Sequence, residues 1–575
     1  MRNLLVWAFL FPATLSLLGW IEYRPKGMQT DKVDQDSTDW VVGLVKDASV
    51  LIRMKGEAAF RDFRMPGSRW RKGETYIFVL DPSGNMVVHN DPTMEGRNQM
   101  ELRDVNGKPI VRGLLGAATP SSPEGWYHYE WPVPGGLLPR WKSSYVRWVK
   151  APSGREFIVG CGVYDDRMQK PFVVDLVMDA VSEVERLGRV SFPRFHDPQG
   201  PYIAKDAYVF VIDDKGVDLV NPGFRNLEGR NIMDLTDAEG KYPIREMWRK
   251  VRDSGSGWVD YMWAKPGESV PTLKSTYVHK AVLDGGDVLV GSGVYLQDAP
   301  RSVGVSRKMT ADELKDLVRE AAVVFEKEGE NAFPTFRTKG SKWLHDDLYF
   351  FVWTMSGIRL LHPAEPQTEG QDVSDLKDVQ DRPVGRMFLE AGRSETGEGW
   401  VHYQNTEPGK IFPIWKSSFV KRVVFPSGEI RLIGAGVYEM QMGREFIVDV
   451  VDRASALVGR RGADAFTTLS DATGPYRFMD TYVFVNDPVG TEILNPAQPS
   501  LQGKNLIDIR DAKGKQMVRE YIEAAMRYDS AWVTYEWYRP GSNTPTTKHT
   551  YVRKVRFRDK TFIVGSGYYD ALNEK

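Results

Sequence analysis

The chain has 575 residues, too many for one hydrophobic core and about right for four domains of ordinary size. With 42% hydrophobic, 12% aromatic and 27% charged residues, its composition is that of a folded globular protein and not of a disordered one. Its 76 Lys and Arg against 77 Asp and Glu give a net charge of -1, so no basic field attracts phosphate backbones and nucleic acid is excluded as an expected partner.

Arg2 precedes an uncharged apolar run from Leu4 to Ile21. A run with no polar face reads as a signal peptide or a membrane anchor. Its 18 residues stand near the lower limit for crossing a bilayer and no A-x-A-like cleavage site follows, so both readings stay open. Residues 1–30 are assigned to that segment, and the rest is expected outside the cytoplasm: periplasmic, secreted, or anchored to the inner membrane through residues 4–21 if the segment is uncleaved.

Next comes a helical stretch, "WVVGLVKDASVLIRMKGEAAF", then a hairpin pattern, "YIFVLDPSGNMVVH", with β-rich residues around a Ser-Gly turn. After "EGRN" three more strands follow: the aromatic "GWYHYEW", the lysine-bearing "WKSSYVRWV", and "FIVGCGVY", whose glycines mark close backbone approach. The whole order returns three times, with "LKSTYVHKA", "WKSSFVKRV" and "TKHTYVRKV" at the lysine strand and "VLVGSGVY", "RLIGAGVY" and "FIVGSGYY" at the close. Leading helices are predicted at "PFVVDLVMDAVSEVERLG", "TADELKDLVREAAVVFEKEG" and "EFIVDVVDRASALVGRRG", the second with a capping box from Thr310 to Glu313.

The hairpin ends in His89 and His362 in units one and three, but in Asn221-Pro222 and Asn495-Pro496 in units two and four. Trp126 and Trp400, Lys142 and Lys416, Trp258 and Trp532, and Lys274 and Lys548 are each 274 positions apart, so a two-domain block was duplicated whole. The expected domains are 38–166, 170–298, 309–440 and 443–572, the first and third of A type, the second and fourth of B type. Two rigid pairs are expected, joined by "DAPRSVGVSRK" as the loosest linker. Each unit is α+β, a long N-terminal helix packed with an antiparallel sheet of about five strands.

In these motifs, the "YxFVxDxxG" strand and turn, the "HP" or "NP" end, "GxN", "DxxGK", "GWVxY", "KSxYV" and "GSGVY", the chain resembles the single Cache family of extracytoplasmic sensor modules, PAS-like in architecture. The resemblance covers about residues 39 to 570, four times over. It implies binding of a small molecule, often a short carboxylate or amino acid, on one face of the sheet, near the strand lysines, the aromatic tyrosines and the histidines. Such modules commonly continue into a membrane helix and a signalling domain. Only "ALNEK" follows Asp570, so the signal is expected to pass through a partner, a separate membrane receptor or histidine kinase.

Residue by residue, alternation puts Lys142 on one strand face with Ser144 and Val146, a partly apolar setting in which an ammonium needs a negative partner. A ligand carboxylate or an internal acid would serve, at Lys142 and equally at Lys274, Lys416 and Lys548. Arg64 and Arg337 stand six residues before Trp70 and Trp343; a guanidinium suits a carboxylate and an indole can wall a pocket or fill a core. With Lys142 and His89, or Lys416 and His362, they form candidate anion pockets, the histidines serving alternatively as turn caps. Tyr129, Tyr261, Tyr403 and Tyr535 offer hydroxyls or simply pack the sheet. Units two and four carry Tyr202 and Tyr476 at the tryptophan place, and His196 and Ser470 for the arginine, so they bind something less acidic or act as spacers.

No catalytic set, metal site or cofactor is expected. The lone Cys161 is replaced by Ser or Ala in the other units, and the eight histidines show no metal-ligand spacing. The alternative to a sensor is a non-signalling exported scaffold of degenerate modules. An enclosed polar cavity in an A unit separates the two.

Overall fold

A computed structural model of the chain describes residues 31–575 apart from 135–138, 165–166, 269, 297–308, 408–411, 541, 543 and 571–575. The apolar run at 4–21 and the expected linker at 298–308 lie outside the described residues.

Four leading helices, Asp31–Lys55, Lys170–Leu187, Ala311–Glu328 and Arg444–Arg461, each open a unit. Their apolar residues recur at helical spacing, as in Val173, Leu176, Val177, Ala180, Val181 and Val184, and this stripe is what each helix buries against its sheet. The capping box at Thr310 and Glu313 forms as the sequence predicts.

The sheets are antiparallel and share one strand order. In the first unit it runs Met86–Val88, Phe78–Leu80, Glu156–Tyr164, Pro139–Lys150, Glu124–Pro132, so the closing strand lies at the centre and the aromatic strand at an edge. The third sheet gains a sixth strand from Leu344–His345. One face of each sheet meets the leading helix. The other meets a shorter helix, Ile110–Ala117, Pro243–Ser254, Val384–Arg393 or Met517–Tyr528.

Units one and two share a single helix-side core, in which Phe172 of the second leading helix packs at a tilt against Trp126, 4.6 Å between ring centroids. Units three and four meet in the same way: Phe446 packs on Trp400, and His402 stacks on Phe478 at 4.0 Å. Separating the units of either pair would expose these apolar contacts to water. Among the described residues no helix is long and apolar enough to cross a membrane.

Candidate functional site

The strand lysines stand at one register position in all four sheets. Lys142 lies between Tyr129 and Tyr164, Lys274 between Tyr261 and Tyr295, Lys416 between Tyr403 and Tyr438, and Lys548 between Tyr535 and Tyr569. All four point to the sheet face away from the leading helix and are 1% exposed, which rules out a solvated role. Each ammonium sits over a tyrosine of the hairpin strand, Tyr76, Tyr208, Tyr349 or Tyr482, at 4.0, 4.4, 3.8 and 4.3 Å from the ring centre. None has a carboxylate within ion-pairing distance among the described residues. Burial lowers the pKa of Lys142, Lys274 and Lys416 to about 7.

A glycine makes this placement feasible. A Cβ on Gly436 of the closing strand would fall 2.0 Å from Ser418 Oγ and 2.9 Å from Lys416 Cε; Gly162, Gly293 and Gly567 give the other lysine stems the same lane. Gly436→Ala is therefore expected to destabilise the protein by about 1–3 kcal/mol through overpacking. A urea midpoint equal to wild type would show that the stem is not confined.

The ammonium groups differ in one respect. Lys142, Lys274 and Lys548 donate to Tyr76, Tyr208 and Tyr482 Oη at 2.7, 3.0 and 2.9 Å, whereas Lys416 Nζ has no hydrogen-bond partner among the described residues. Beside it, in unit three, lies a cavity of about 120 Å³ lined by residues that include Tyr349, Trp353, Arg359, His362, Phe388 and Tyr403. One water needs roughly 10–15 Å³ on this measure, so the space admits a small organic molecule. Arg359 Nε and Trp353 Nε1 on its wall are also buried, with no hydrogen-bond partner among the described residues. The Arg359 guanidinium is held by Thr368 through Nη1 alone, 3.8 Å from Glu365 at the exposed rim, and burial lowers its pKa. Asp378 lines the cavity too, but its oxygens accept from the backbone N–H groups of Gln380, Arg382 and Gln404. The unmet demand in this site is thus for acceptors.

Arg359 occupies a position that the units do not share. Its counterparts, each at the start of the second hairpin strand, are Met86, Asp218 and Glu492. In the B units the acid is held by the asparagine three residues on: Asn221 donates to Asp218 at 2.8 Å and Asn495 to Glu492 at 2.9 Å. Burial raises both acids to about 7. Where the acid is absent the asparagine gives way to histidine, and His89 and His362 Nδ1 accept from the backbone N–H of Asp91 and Glu365, keeping the turn cap. That bond assigns the proton to Nε2. Burial lowers the His89 and His362 pKa to about 4 and about 3, so both rings are neutral.

The structure brings His89, Tyr129 and Lys142 together around Tyr76, and His362, Tyr403 and Lys416 around Tyr349. Tyr261 joins Lys274, and Tyr535 joins Lys548, as register neighbours. The tryptophans do not join them. Trp70 packs against Phe63 at 5.2 Å and Trp343 against Phe336 at 4.7 Å, within the helix-side cores, because their loops cross to the opposite face of the sheet. Nor are the arginines free for an anion: Arg64 pairs with Glu95 at 3.0 Å and Arg337 with Glu369 at 2.8 Å. Sequence reasoning missed Arg359 and Trp353, and also the hairpin tyrosines, which precede the lysine by 66 residues in three units.

The model of the single Cache domain 2 family matches residues 61–175, 187–308 and 305–426, and a second Cache domain model matches 463–575. Among curated proteins, 90 residues are 34% identical to the methyl-accepting chemotaxis protein McpP of Pseudomonas putida, covering 16% of each chain. A further match is to the sensor histidine kinase MctS of Rhizobium johnstonii, 37% identical over 94 residues, 16% of this chain and 20% of that one. The chain thus spans a fifth or less of the length of either relative. Of solved structures, a periplasmic sensor domain of a chemotaxis protein is 28% identical with a TM-score of 0.18, covering 21% of this chain and 86% of that one. A Cache chemosensory domain described for carboxylic acid recognition is 25% identical with a TM-score of 0.20, covering 22% and 92%.

Proposed function

The chain belongs to the single Cache domain 2 family, whose domains are sensory ligand-binding modules, and from that premise we propose that it is an extracytoplasmic sensor of a small organic anion, a short carboxylate, held in the third unit. The observation that carries this reading is the trio of buried donors without partners among the described residues, Trp353 Nε1, Arg359 Nε and Lys416 Nζ, at or beside one cavity. A carboxylate supplies the acceptors all three lack. Tyr403 and His362 Nε2–H complete the site on the same wall.

Units two and four are assigned a different part. Each keeps a buried acid near the tyrosine beneath its lysine, Asp218 acting on Tyr208 and Glu492 lining the same recess as Lys548, which lessens the need for an external anion. Unit one, with Met86 in place of Arg359 and Lys142 satisfied by Tyr76, has the weaker claim to an anion. The domain limits given above are adopted for this proposal, and the signal is taken to reach a membrane receptor or histidine kinase as a separate partner.

The test is a thermal-shift panel of formate, acetate, propionate and larger carboxylates against ammonium and methylamine. A ligand that binds only the native state at 100 times its Kd stabilises it by about 2.7 kcal/mol, so a true ligand is readily seen. Carboxylates are expected to raise Tm and the amines are not. A panel without any carboxylate shift refutes the reading and leaves the scaffold.

A further inference from the structure

The second and third units meet through the segments that wall the third unit's cavity. Gln404 lines the cavity, and a Cβ built on Gly267 of unit two would lie 3.2 Å from its Nε2. Beyond it, Phe412 leaves unit three and packs between Phe224 and Trp263 of unit two, at 5.3 and 4.9 Å, while Ile414 bridges to Gly267 through the backbone. The second wall, Leu376 to Asp378, continues to Asp381, which pairs with Arg225 of unit two. The neighbouring Arg382 donates instead to Ala472 and Gly474 carbonyls of unit four, at 3.0 and 3.1 Å.

On the unit-two side the receiving residues belong to that unit's own lysine-side face: Phe224 and Trp263 share a core with Tyr208 and Tyr261. The pairing is particular to unit two. In unit four the counterpart of Phe224 is Gln498, and it accepts a hydrogen bond from Trp537 Nε1, the counterpart of Trp263, at 3.1 Å. A polar pair of this kind offers no apolar socket to a phenylalanine.

We propose that the anion site of unit three and its contact with unit two are thermodynamically linked, so that filling the cavity weakens the docking of Phe412 and frees the two pairs to reorient. The inference rests on the anion reading above. The physical reason is that Gln404 and the Leu376–Asp378 segment line the cavity and are the same segments that Gly267, Phe224, Trp263 and Arg225 hold against unit two, so a ligand that repositions these walls works against that contact. Linkage is reciprocal: what weakens the contact must tighten the ligand.

Acetate and propionate are titrated into the intact protein, into Phe412→Ala and Arg225→Asp, and into Arg359→Met as the binding control. About fivefold or tighter binding is expected in Phe412→Ala and Arg225→Asp, with wild-type affinity restored when Arg225→Asp is combined with Asp381→Arg. Arg225 is a surface residue, so that arm of the test does not depend on the packing of Phe412. Unchanged or weaker affinity in both variants, with Arg359→Met abolishing binding, overturns the linkage and leaves the anion site standing. Absence of binding by the wild type overturns both.

Discussion

Arg359→Met is expected to lower carboxylate affinity by about 100-fold or more while leaving the protein at least as stable as wild type. Arg359 is 7% exposed; its Nη1 donates to Thr368 and stands 3.8 Å from Glu365, while its Nε has no partner among the described residues. Truncating one partner of a buried charged pair costs about 2–5 kcal/mol of binding, and a hundredfold loss is about 2.7 kcal/mol, near the low end of that range. Methionine is the informative replacement because unit one carries Met86 at this register position, buried within the same fold. Isothermal titration and a urea melt, run together, check both halves. Undiminished affinity would remove the site from unit three, and a collapse in stability would make Arg359 a structural residue.

Lys416→Met should also abolish carboxylate binding, and it should raise stability by about 1–4 kcal/mol at neutral pH, as removal of poorly compensated buried charge does elsewhere. The gain has a definite pH window. The folded-state pKa of Lys416 is about 7 and the unfolded value about 10.4, so between these limits the unfolded chain binds more protons and wild-type stability rises with pH. The advantage of the variant is therefore full below pH 7 and fades towards pH 10. Lys142 and Lys274 share the same folded value, so the variant removes one of three equal contributions to that slope. In the wild type an anion favours the protonated amine, and its affinity falls as pH rises above about 7. A variant less stable than wild type at pH 6 would mean that the tyrosine cage alone justifies the lysine.

The lysine strands, the tyrosines beside them and the helix-plus-sheet unit were legible because they recur: alternation within "WKSSYVRWV" already places Lys142, Ser144 and Val146 together. Alternation is silent, however, on which face carries the leading helix. For that reason pocket wall and core both stay open for Trp70 and Trp343 in the sequence, and Phe63 and Phe336 take them into the core on the opposite face. Arg64 and Arg337 were misjudged differently, since Glu95 and Glu369 lie more than thirty residues away and only the fold brings them close. Arg359 carries no repeat signal. The hairpin position it occupies holds Met, Asp, Arg and Glu in the four units, so it belongs to none of the repeated motifs.

The hydrogen bond between Trp537 and Gln498 also bears on solubility. Unit two receives the hairpin of the following unit through unlike surfaces, a head-to-tail contact that does not close on itself. Had the duplicated block kept a phenylalanine at residue 498, unit four would present the same socket to another molecule, and repetition of the contact would build an open filament. The glutamine engages Trp537 instead, so unit four lacks the apolar socket of unit two and this head-to-tail contact is not repeated there.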